Sequence, residues 1–167
     1  IKTVNEDGEV SYTSGRINTQ NKHNFKYGIF EARVKVPEGK GYLPAFWLMA
    51  ADENQYGQWP RCGEIDIMEI HGSDTSKNYG TIHYGNPHKE SQGSYQLNEG
   101  EGTYADDYHT FAVEWLPGRI NWYMDGKMFH TENNWYSRTE GQGEITYPAP
   151  FDQEFYMILN LAVGGSW

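Results

Sequence analysis

The chain has 167 residues and a formal net charge of −10, which suits one domain with its own core and a surface that repels the phosphate backbones of nucleic acids. Its single cysteine excludes an internal disulfide and a zinc cluster built on cysteines. No apolar run is long enough to cross a membrane, so neither nucleic acid nor a membrane is an expected partner.

Strands and tight turns dominate the predicted structure. Aromatic residues make up 16% of the chain, and 19 residues are glycine. Short apolar runs recur between clusters of Gly, Asn, Asp and Pro, which is typical of an all-β sandwich or barrel. No repeat or low-complexity linker divides the chain, so residues 1–167 are expected to form one domain.

The first clear strands precede an acidic segment. Residues 27–36, "YGIFEARVKV", alternate so that Phe30 faces the core while Glu31 and Arg33 share the opposite face. Residues 44–50, "PAFWLMA", form a continuous apolar run, as expected for a strand that is buried on both faces.

The acidic segment, residues 64–70, reads "EIDIMEI". On a regular strand, Glu64 and Asp66 would share a face while Glu69 would point among isoleucines, which costs several kcal/mol for a lone carboxylate. A one-residue β-bulge at residues 67–68 would return Glu69 to the acidic face. Bulges are common beside active sites, so the change of spacing predicts a bulged, functional strand.

The bulged spacing suits glycoside hydrolysis. The backbones of Glu64 and Glu69 would lie about 13 Å apart, and side chains leaning inward would bring the carboxyls to about 5–6 Å, the separation found in retaining glycosidases. Asp66 would lie between them, and three close carboxyls predict at least one raised pKa. Two alternatives stay open, a solvated acidic face and a calcium site, and the spacing does not decide which glutamate is the nucleophile.

The rest of the chain continues the all-β pattern. Residues 81–85 predict a short strand, residues 88–107 a long surface loop, and residues 108–118 an alternating strand. Residues 120–129 predict a hairpin around an Asp-Gly turn, and residues 155–163 a central strand with one polar residue.

Four segments carry a family resemblance: "GYLPAFWLM", "WPRCGEIDIMEIHG", "TIHYG" and "ILNLAVGGSW". They resemble glycoside hydrolase family 16, and within it the bacterial laminarinases, which are endo-β-1,3-glucanases. The family signature is Glu-x-Asp-x-x-Glu with a methionine in the bulge, and the matching segments span residues 12–167. The resemblance implies a jelly-roll β-sandwich of two curved antiparallel sheets with a glycan cleft on the concave face.

The resemblance also implies roles for the acidic row. Glu64 matches the nucleophile, Asp66 the assisting acid and Glu69 the acid/base of the family. The implied function is retaining, endo-acting hydrolysis of β-1,3-glucan, with mixed-linkage β-1,3-1,4-glucan as a further substrate. A galactanase of the same family and a non-catalytic β-glucan-binding module are the alternatives.

Four further residues match positions that contact sugar in the family. Glu31 and Arg33 are expected to reach the cleft, the alternative being a surface ion pair. Trp47 and Trp59 are expected to pack on pyranose rings, whose C–H faces are apolar. For Trp47 the alternative is a place in the core.

Two polar residues on strands complete the expected site. His83 matches a histidine close to the catalytic row, and Asn160 a polar cleft residue; a purely structural role is the alternative for each. Trp115 and Trp122 are expected in the core, and Trp135 stays ambiguous.

The chain departs from the family in two respects. Cys62 stands where some relatives carry a tryptophan. The chain is also short, and it is expected to lack the first strands and the last one, as a truncated, fragmentary or engineered form would. Relatives often bind structural calcium through those segments, so calcium stays open and no cofactor is expected to be required. A secreted, monomeric bacterial protein acting on a β-glucan polysaccharide is expected.

Overall fold

The computed structural model describes residues 2–139, 143–145 and 147–165, so the final two residues of the "GGSW" segment lie outside the described residues. Among the described residues the elements are all strands. They are β1 Lys2–Val4, β2 Val10–Tyr12, β3 Arg16–Asn18, β4 Gly28–Val34, β5 Tyr42–Ala50, β6 Glu64–Glu69, β7 Lys77–Tyr84, β8 Lys89–Gln96, β9 His109–Leu116, β10 Arg119–Met124, β11 Lys127–Glu132, β12 Ser137–Thr139, β13 Gly143–Ile145 and β14 Phe155–Val163.

Two antiparallel sheets carry most of these strands. The larger has six strands in the order β3-β14-β5-β6-β7-β8, and the smaller has four in the order β11-β10-β9-β4. Two separate two-stranded ribbons, β1-β2 and β12-β13, complete the described structure. Strand β6 therefore lies in the interior of the six-stranded sheet, whereas β4 lies at an edge of the four-stranded sheet.

The core lies between the two sheets. Strands β5 and β6 supply Phe46, Leu48 and Ile65, and β9 supplies Phe111 and the fully buried Trp115. The inner face of each sheet is thus covered by the other sheet, and polar side chains are left for the two outer faces. The expectation of an all-β sandwich is confirmed, as is the placement of Trp115 and Trp122 in the core, where Trp135 is buried as well.

The sequence pattern located most strands correctly. The Asp-Gly hairpin forms between β10 and β11, and both turn residues have a positive φ, 46° at Asp125 and 75° at Gly126, as a two-residue hairpin turn requires. The prediction of a loop over residues 88–107 is wrong for residues 89–96, which form the edge strand β8. Its sequence, "KESQGSYQ", carries few strand-forming residues, because an edge strand is solvated along one side. Among the described residues, no helix is long and apolar enough to cross a membrane.

Candidate active site

The acidic segment forms β6 and contains the predicted bulge. Phe46 of β5 pairs with Met68, but the next residue, Trp47, pairs with Asp66, so Ile67 is the extra residue. On the other side of β6, the register shifts between Asp66 and Glu69 as well. The bulge keeps Met68 buried beside Phe46 and returns Glu69 to the outer face that Asp66 occupies.

Cross-strand pairing shows what surrounds the acids on this outer face. Glu64 pairs with Met49 and His83, Asp66 with Trp47 and Thr81, and Glu69 with Ala45 and Tyr79. Residues directly opposite each other in an antiparallel pair point to the same side of the sheet. The three acids therefore share the outer face of the six-stranded sheet with aromatic, polar and small side chains.

Glu64 and Asp66 form a hydrogen-bonded carboxyl pair. Burial, reinforced by the charge of Asp66, raises the pKa of Glu64 to about 8. Burial also raises the pKa of Asp66 well above its usual range, since its side chain is enclosed and Glu69 adds negative charge. Because two adjacent buried carboxyls resist losing both protons, the pair holds one proton near neutral pH.

Glu69 is the third member of the row. Burial raises its pKa, and the charges of Glu64 and Glu90 act in the same direction while His83 opposes them. Its carboxyl is half-buried, so it reaches solvent and a ligand on the outer face. A partly exposed carboxyl with a raised pKa is what a general acid near neutral pH needs.

His83 contacts the row from β7. Its Nε2 lies 3.2 Å from Asp66 Oδ2. The ring is not aligned for a hydrogen bond, and Asp66 Oδ2 is buried without a hydrogen-bond partner among the described residues. The predicted proximity of His83 to the acids is thus present, as a close electrostatic contact.

Trp59 lies on the loop that leads into β6. Its ring is 47% exposed, and its indole N–H lies near the carboxyl of Glu64, where it lowers the pKa of that acid and so favours the ionised form. The ring also packs beside His88, with centroids 5.2 Å apart. An exposed aromatic face fixed beside an acid suits a pyranose ring.

Trp47 and Asn160 form one unit on the outer face. The Trp47 indole N–H donates to Asn160 Oδ1 at 2.7 Å, and the guanidinium of Arg16 lies 4.8 Å from the Trp47 ring centroid. Trp47 is only partly buried, so it does not belong wholly to the core. The amide oxygen of Asn160 is satisfied by this bond, which orients Trp47 next to Asp66.

The four-stranded sheet supports the row from beneath. Trp122 of β10 is fully buried, and its indole N–H donates to the main-chain carbonyl of Asp66 at 2.8 Å. The indole occupies the space that a side chain at Gly80 would need, next to the bulge. A bulged strand leaves backbone groups without ladder partners, and Trp122 satisfies one of them.

Glu31 and Arg33 do not reach this face. Both lie on β4, with Phe30 pointing into the core, so their side chains project from the outer face of the four-stranded sheet. Arg33 stacks instead over Tyr108, with 4.7 Å between the guanidinium carbon and the ring centroid. The structure contradicts their expected cleft contact, because alternation identifies a non-core side chain but a sandwich has two outer faces.

Three residues at the site were not foreseen. Arg16 covers Trp47, and Gln92 of β8 donates to Thr81 Oγ1 at 3.1 Å beside the row. His88 lies 3.0 Å from His83, measured between ring nitrogens. The signal for His88 was its spacing from His83 across a Gly-Asn-Pro turn, which brings the ends of a hairpin together.

Comparison with known proteins gives one family. The model of Glycosyl hydrolases family 16 matches residues 3–167. The chain is 44% identical over 163 residues to glucan endo-1,3-beta-glucosidase A1 of Niallia circulans, covering 95% of this chain and 23% of that protein. It is 38% identical to glucan endo-1,3-beta-glucosidase of Cryptopygus antarcticus, covering 98% of this chain and 59% of that protein.

A solved structure extends the likeness to the fold. The laminarinase catalytic domain from Thermotoga maritima MSB8 superposes with a TM-score of 0.78 at 37% identity, covering 100% of this chain and 65% of that one. The predicted jelly-roll class is thereby confirmed. The chain spans less than two thirds of the length of each of these three proteins.

Proposed function

Because the chain belongs to glycoside hydrolase family 16, we propose that it is an endo-acting hydrolase of β-1,3-glucan that retains the anomeric configuration. The observation that carries the proposal is the bulged row of Glu64, Asp66 and Glu69 on one outer face, with raised carboxyl pKa values. The matched proteins named as endo-1,3-β-glucosidases and as a laminarinase support the choice of substrate.

Glu64 acts as the nucleophile in this proposal. Within the Glu64–Asp66 pair, the proton resides on Asp66, because Asp66 is 2% exposed and would suffer the greater desolvation as an anion. Glu64 is less enclosed, and the nearby indole N–H of Trp59 favours its ionised form, so it carries the negative charge. It attacks the anomeric carbon and forms the glycosyl-enzyme while the bond to the leaving oxygen breaks.

Glu69 acts as the acid and then as the base. Its raised pKa favours the protonated form, and it donates a proton to the leaving glycosidic oxygen. In the second step the same carboxylate takes a proton from water, whose oxygen attacks the anomeric carbon and releases Glu64. Asp66 holds Glu64 in position through their hydrogen bond, and its own main chain is held by Trp122.

The sugar chain lies along the aromatic residues of the same face. Trp59 presents an exposed ring next to Glu64, and Trp47 presents its partly exposed ring next to Asp66. These two rings flank the acids and offer apolar faces to successive pyranose rings. A non-catalytic glucan-binding module is the alternative function, and the intact acidic row with its supporting contacts favours catalysis over binding alone.

The proposal is tested by reducing-sugar release from laminarin, beside barley mixed-linkage glucan and agarose. We expect the greatest release from laminarin, and we expect Glu64→Gln to abolish it while the variant still binds the glucan. Binding of laminarin without release by the unmodified chain would favour the non-catalytic module, and release from agarose alone would favour a galactanase.

A further inference from the structure

A cluster of metal-ligating side chains lies beside the acidic row, on the hairpin between β7 and β8. His83 is the last residue but one of β7, His88 follows the turn, and Glu90 lies directly opposite His83 on β8. His83 Nδ1 lies 3.0 Å from His88 Nε2 and 3.6 Å from Glu90 Oε2. One ligand atom from each of the three residues falls within 4.8 Å of the others.

The proposed hydrolysis does not use this arrangement. The side of His83 that faces the catalytic row carries Nε2, whereas Nδ1 points away from the row toward His88 and Glu90. His88 and Glu90 are exposed, so an ion in solution can reach them. Two imidazole nitrogens and a carboxylate oxygen that converge at a solvent-accessible point are the ligand types that zinc and its neighbours prefer.

The distances fit a small divalent cation. Zinc–nitrogen and zinc–oxygen bonds of about 2.0–2.1 Å in a tetrahedral site place the ligand atoms about 3.3–3.4 Å apart. The two separations measured from His83 Nδ1, 3.0 Å and 3.6 Å, lie on either side of that value. Only small side-chain movements of exposed His88 and Glu90 are needed to equalise them.

We infer that His83, His88 and Glu90 form a binding site for Zn²⁺ or a similar transition-metal ion at the rim of the catalytic face. His83 binds through Nδ1 and His88 through Nε2, while water completes the coordination. The remaining His83 nitrogen, Nε2, then carries the hydrogen and lies 3.2 Å from Asp66 Oδ2, in electrostatic contact rather than in an aligned hydrogen bond. A histidine ligand that directs its second nitrogen at a carboxylate is the usual outer-shell arrangement of zinc sites.

A second triplet, Glu64, Asp66 and His83, also has ligand atoms within reach of one another. It is a weaker competitor because Asp66 Oδ2 is buried, and because Glu64 and Asp66 already share a hydrogen bond. Binding there would require the pair to lose its shared proton. The exposed triplet needs no such change, so it is the preferred site.

Occupancy of the site should reduce hydrolysis, a consequence that rests on the proposed function. His88 stacks 5.2 Å from Trp59, so a metal that fixes His88 also fixes the ring that flanks Glu64. Zn²⁺ is therefore a reversible inhibitor of this enzyme.

The binding claim is tested by titrating Zn²⁺ into the chain, without a polyhistidine tag, in an isothermal calorimeter and with no glucan present. We expect one saturable site, lost or weakened at least about tenfold in His88→Ala and in Glu90→Gln. His23→Gln, which changes an exposed histidine on another loop, is the matched control and should bind like the unmodified chain. Ca²⁺, which prefers oxygen ligands, should not compete.

Three results would contradict the inference of a Zn²⁺ site at His83, His88 and Glu90. They are no saturable binding of Zn²⁺, equal binding by the His88 and Glu90 variants, and displacement of Zn²⁺ by Ca²⁺. Binding insensitive to His88 and Glu90 but lost in Glu64→Gln would place the ion in the catalytic row instead. Because calorimetry needs no turnover, failure of the metal site and failure of the proposed hydrolysis are distinguished.

The inhibition is tested separately, by laminarin hydrolysis at increasing Zn²⁺. We expect a fall in rate that follows the calorimetric saturation, is reversed by a chelator and is weakened at least about tenfold in His88→Ala. A rate that is unchanged at full occupancy would refute the coupling through Trp59.

Discussion

The two outer faces of the sandwich both carry acidic side chains, but they hold them in opposite ways. On the six-stranded sheet, Glu64 and Asp66 lie on the interior strand β6, enclosed and hydrogen-bonded to each other. On the four-stranded sheet, Glu31 lies on the edge strand β4 and is exposed. The same alternation of polar and apolar residues thus produces a reactive row on one face and a solvated surface on the other.

The difference arises from neighbours rather than from the acids themselves. Strand β6 has β5 and β7 on its two sides. Its carboxyls are surrounded by the side chains of Trp47, Trp59 and His83. Strand β4 has one neighbour, so water reaches Glu31. Because desolvation is the first cause of the raised pKa values in the row, position within the sheet decides which acids can act as proton donors.

The largest expected effect is a difference in turnover between two variants that carry the same Glu→Gln change, one on each outer face. Glu64→Gln should lower kcat for laminarin at least about a thousandfold, since it removes the proposed nucleophile. Glu31→Gln, the matched change on the other sheet, should leave kcat within about twofold. Equal losses in both variants, measured by reducing-sugar release, would mean that the two faces do not differ as described.

The support given by the smaller sheet is tested at Gly80. Gly80→Ala should displace the Trp122 indole, lower the free energy of unfolding by about 1–3 kcal/mol and reduce kcat, because Trp122 holds the Asp66 carbonyl. Gly15→Ala, where an added methyl meets no neighbour, should change neither quantity. Denaturant unfolding and laminarin kinetics provide the two readouts, and full activity of a destabilised Gly80→Ala would separate Trp122 from catalysis.

The proton that the Glu64–Asp66 pair holds, with a pKa of about 8 at Glu64, predicts a stability that falls with pH. Between the ordinary value of 4.5 and the folded value of about 8, the folded protein keeps a proton that the unfolded chain releases. The stability contribution is therefore complete below pH 4.5 and is lost as pH rises to about 8, at a limiting slope of about 1.4 kcal/mol per pH unit.

Glu64→Gln should remove much of that slope, and Glu31→Gln should keep it. Denaturant unfolding at pH 5, 6, 7 and 8 would measure the four free energies for each chain. A slope unchanged in Glu64→Gln would show that the Glu64–Asp66 pair is not what holds the proton.

The smallest expected effect concerns sugar contact by aromatic residues. Trp59→Ala should raise the KM for laminarin about fivefold to tenfold, the loss expected for one aromatic face on a pyranose ring. Tyr108→Ala removes an aromatic ring of similar exposure from the other face, where it stacks under Arg33, and should leave KM unchanged. A comparable rise in both variants would instead indicate glucan binding on both faces.

The sequence alone was sufficient to predict the local features that depend on turn residues and on the alternation of polar and apolar residues along a strand. The bulge follows from the cost of burying Glu69, and the hairpin at Asp125 follows from turn chemistry, so both could be predicted. The edge strand β8 could not be predicted, because its residues are polar and do not form the alternating apolar pattern that identifies a strand. The error for Glu31 and Arg33 has a related cause, since alternation does not say to which sheet a strand belongs.

Contacts between segments that are distant in the sequence also could not be predicted from the sequence pattern. Nothing in the spacing of Trp122 indicates that its indole reaches the Asp66 carbonyl, which is 56 positions away. The contact of Trp59 with Glu64 and of His88 with His83 depends on how two loops fold over the sheet. Secretion, the monomeric state and the question of calcium stay predictions.

The proposed role of Glu64 as the nucleophile is tested most directly by trapping the glycosyl-enzyme with a 2-deoxy-2-fluoro derivative of a β-1,3-glucan oligosaccharide. Peptide mass spectrometry then locates the labelled residue. The proposed mechanism predicts one label per chain, attached to the carboxyl of Glu64, and no label in Glu64→Gln. A label on Glu69, or steady hydrolysis with no covalent intermediate on β6, would contradict it.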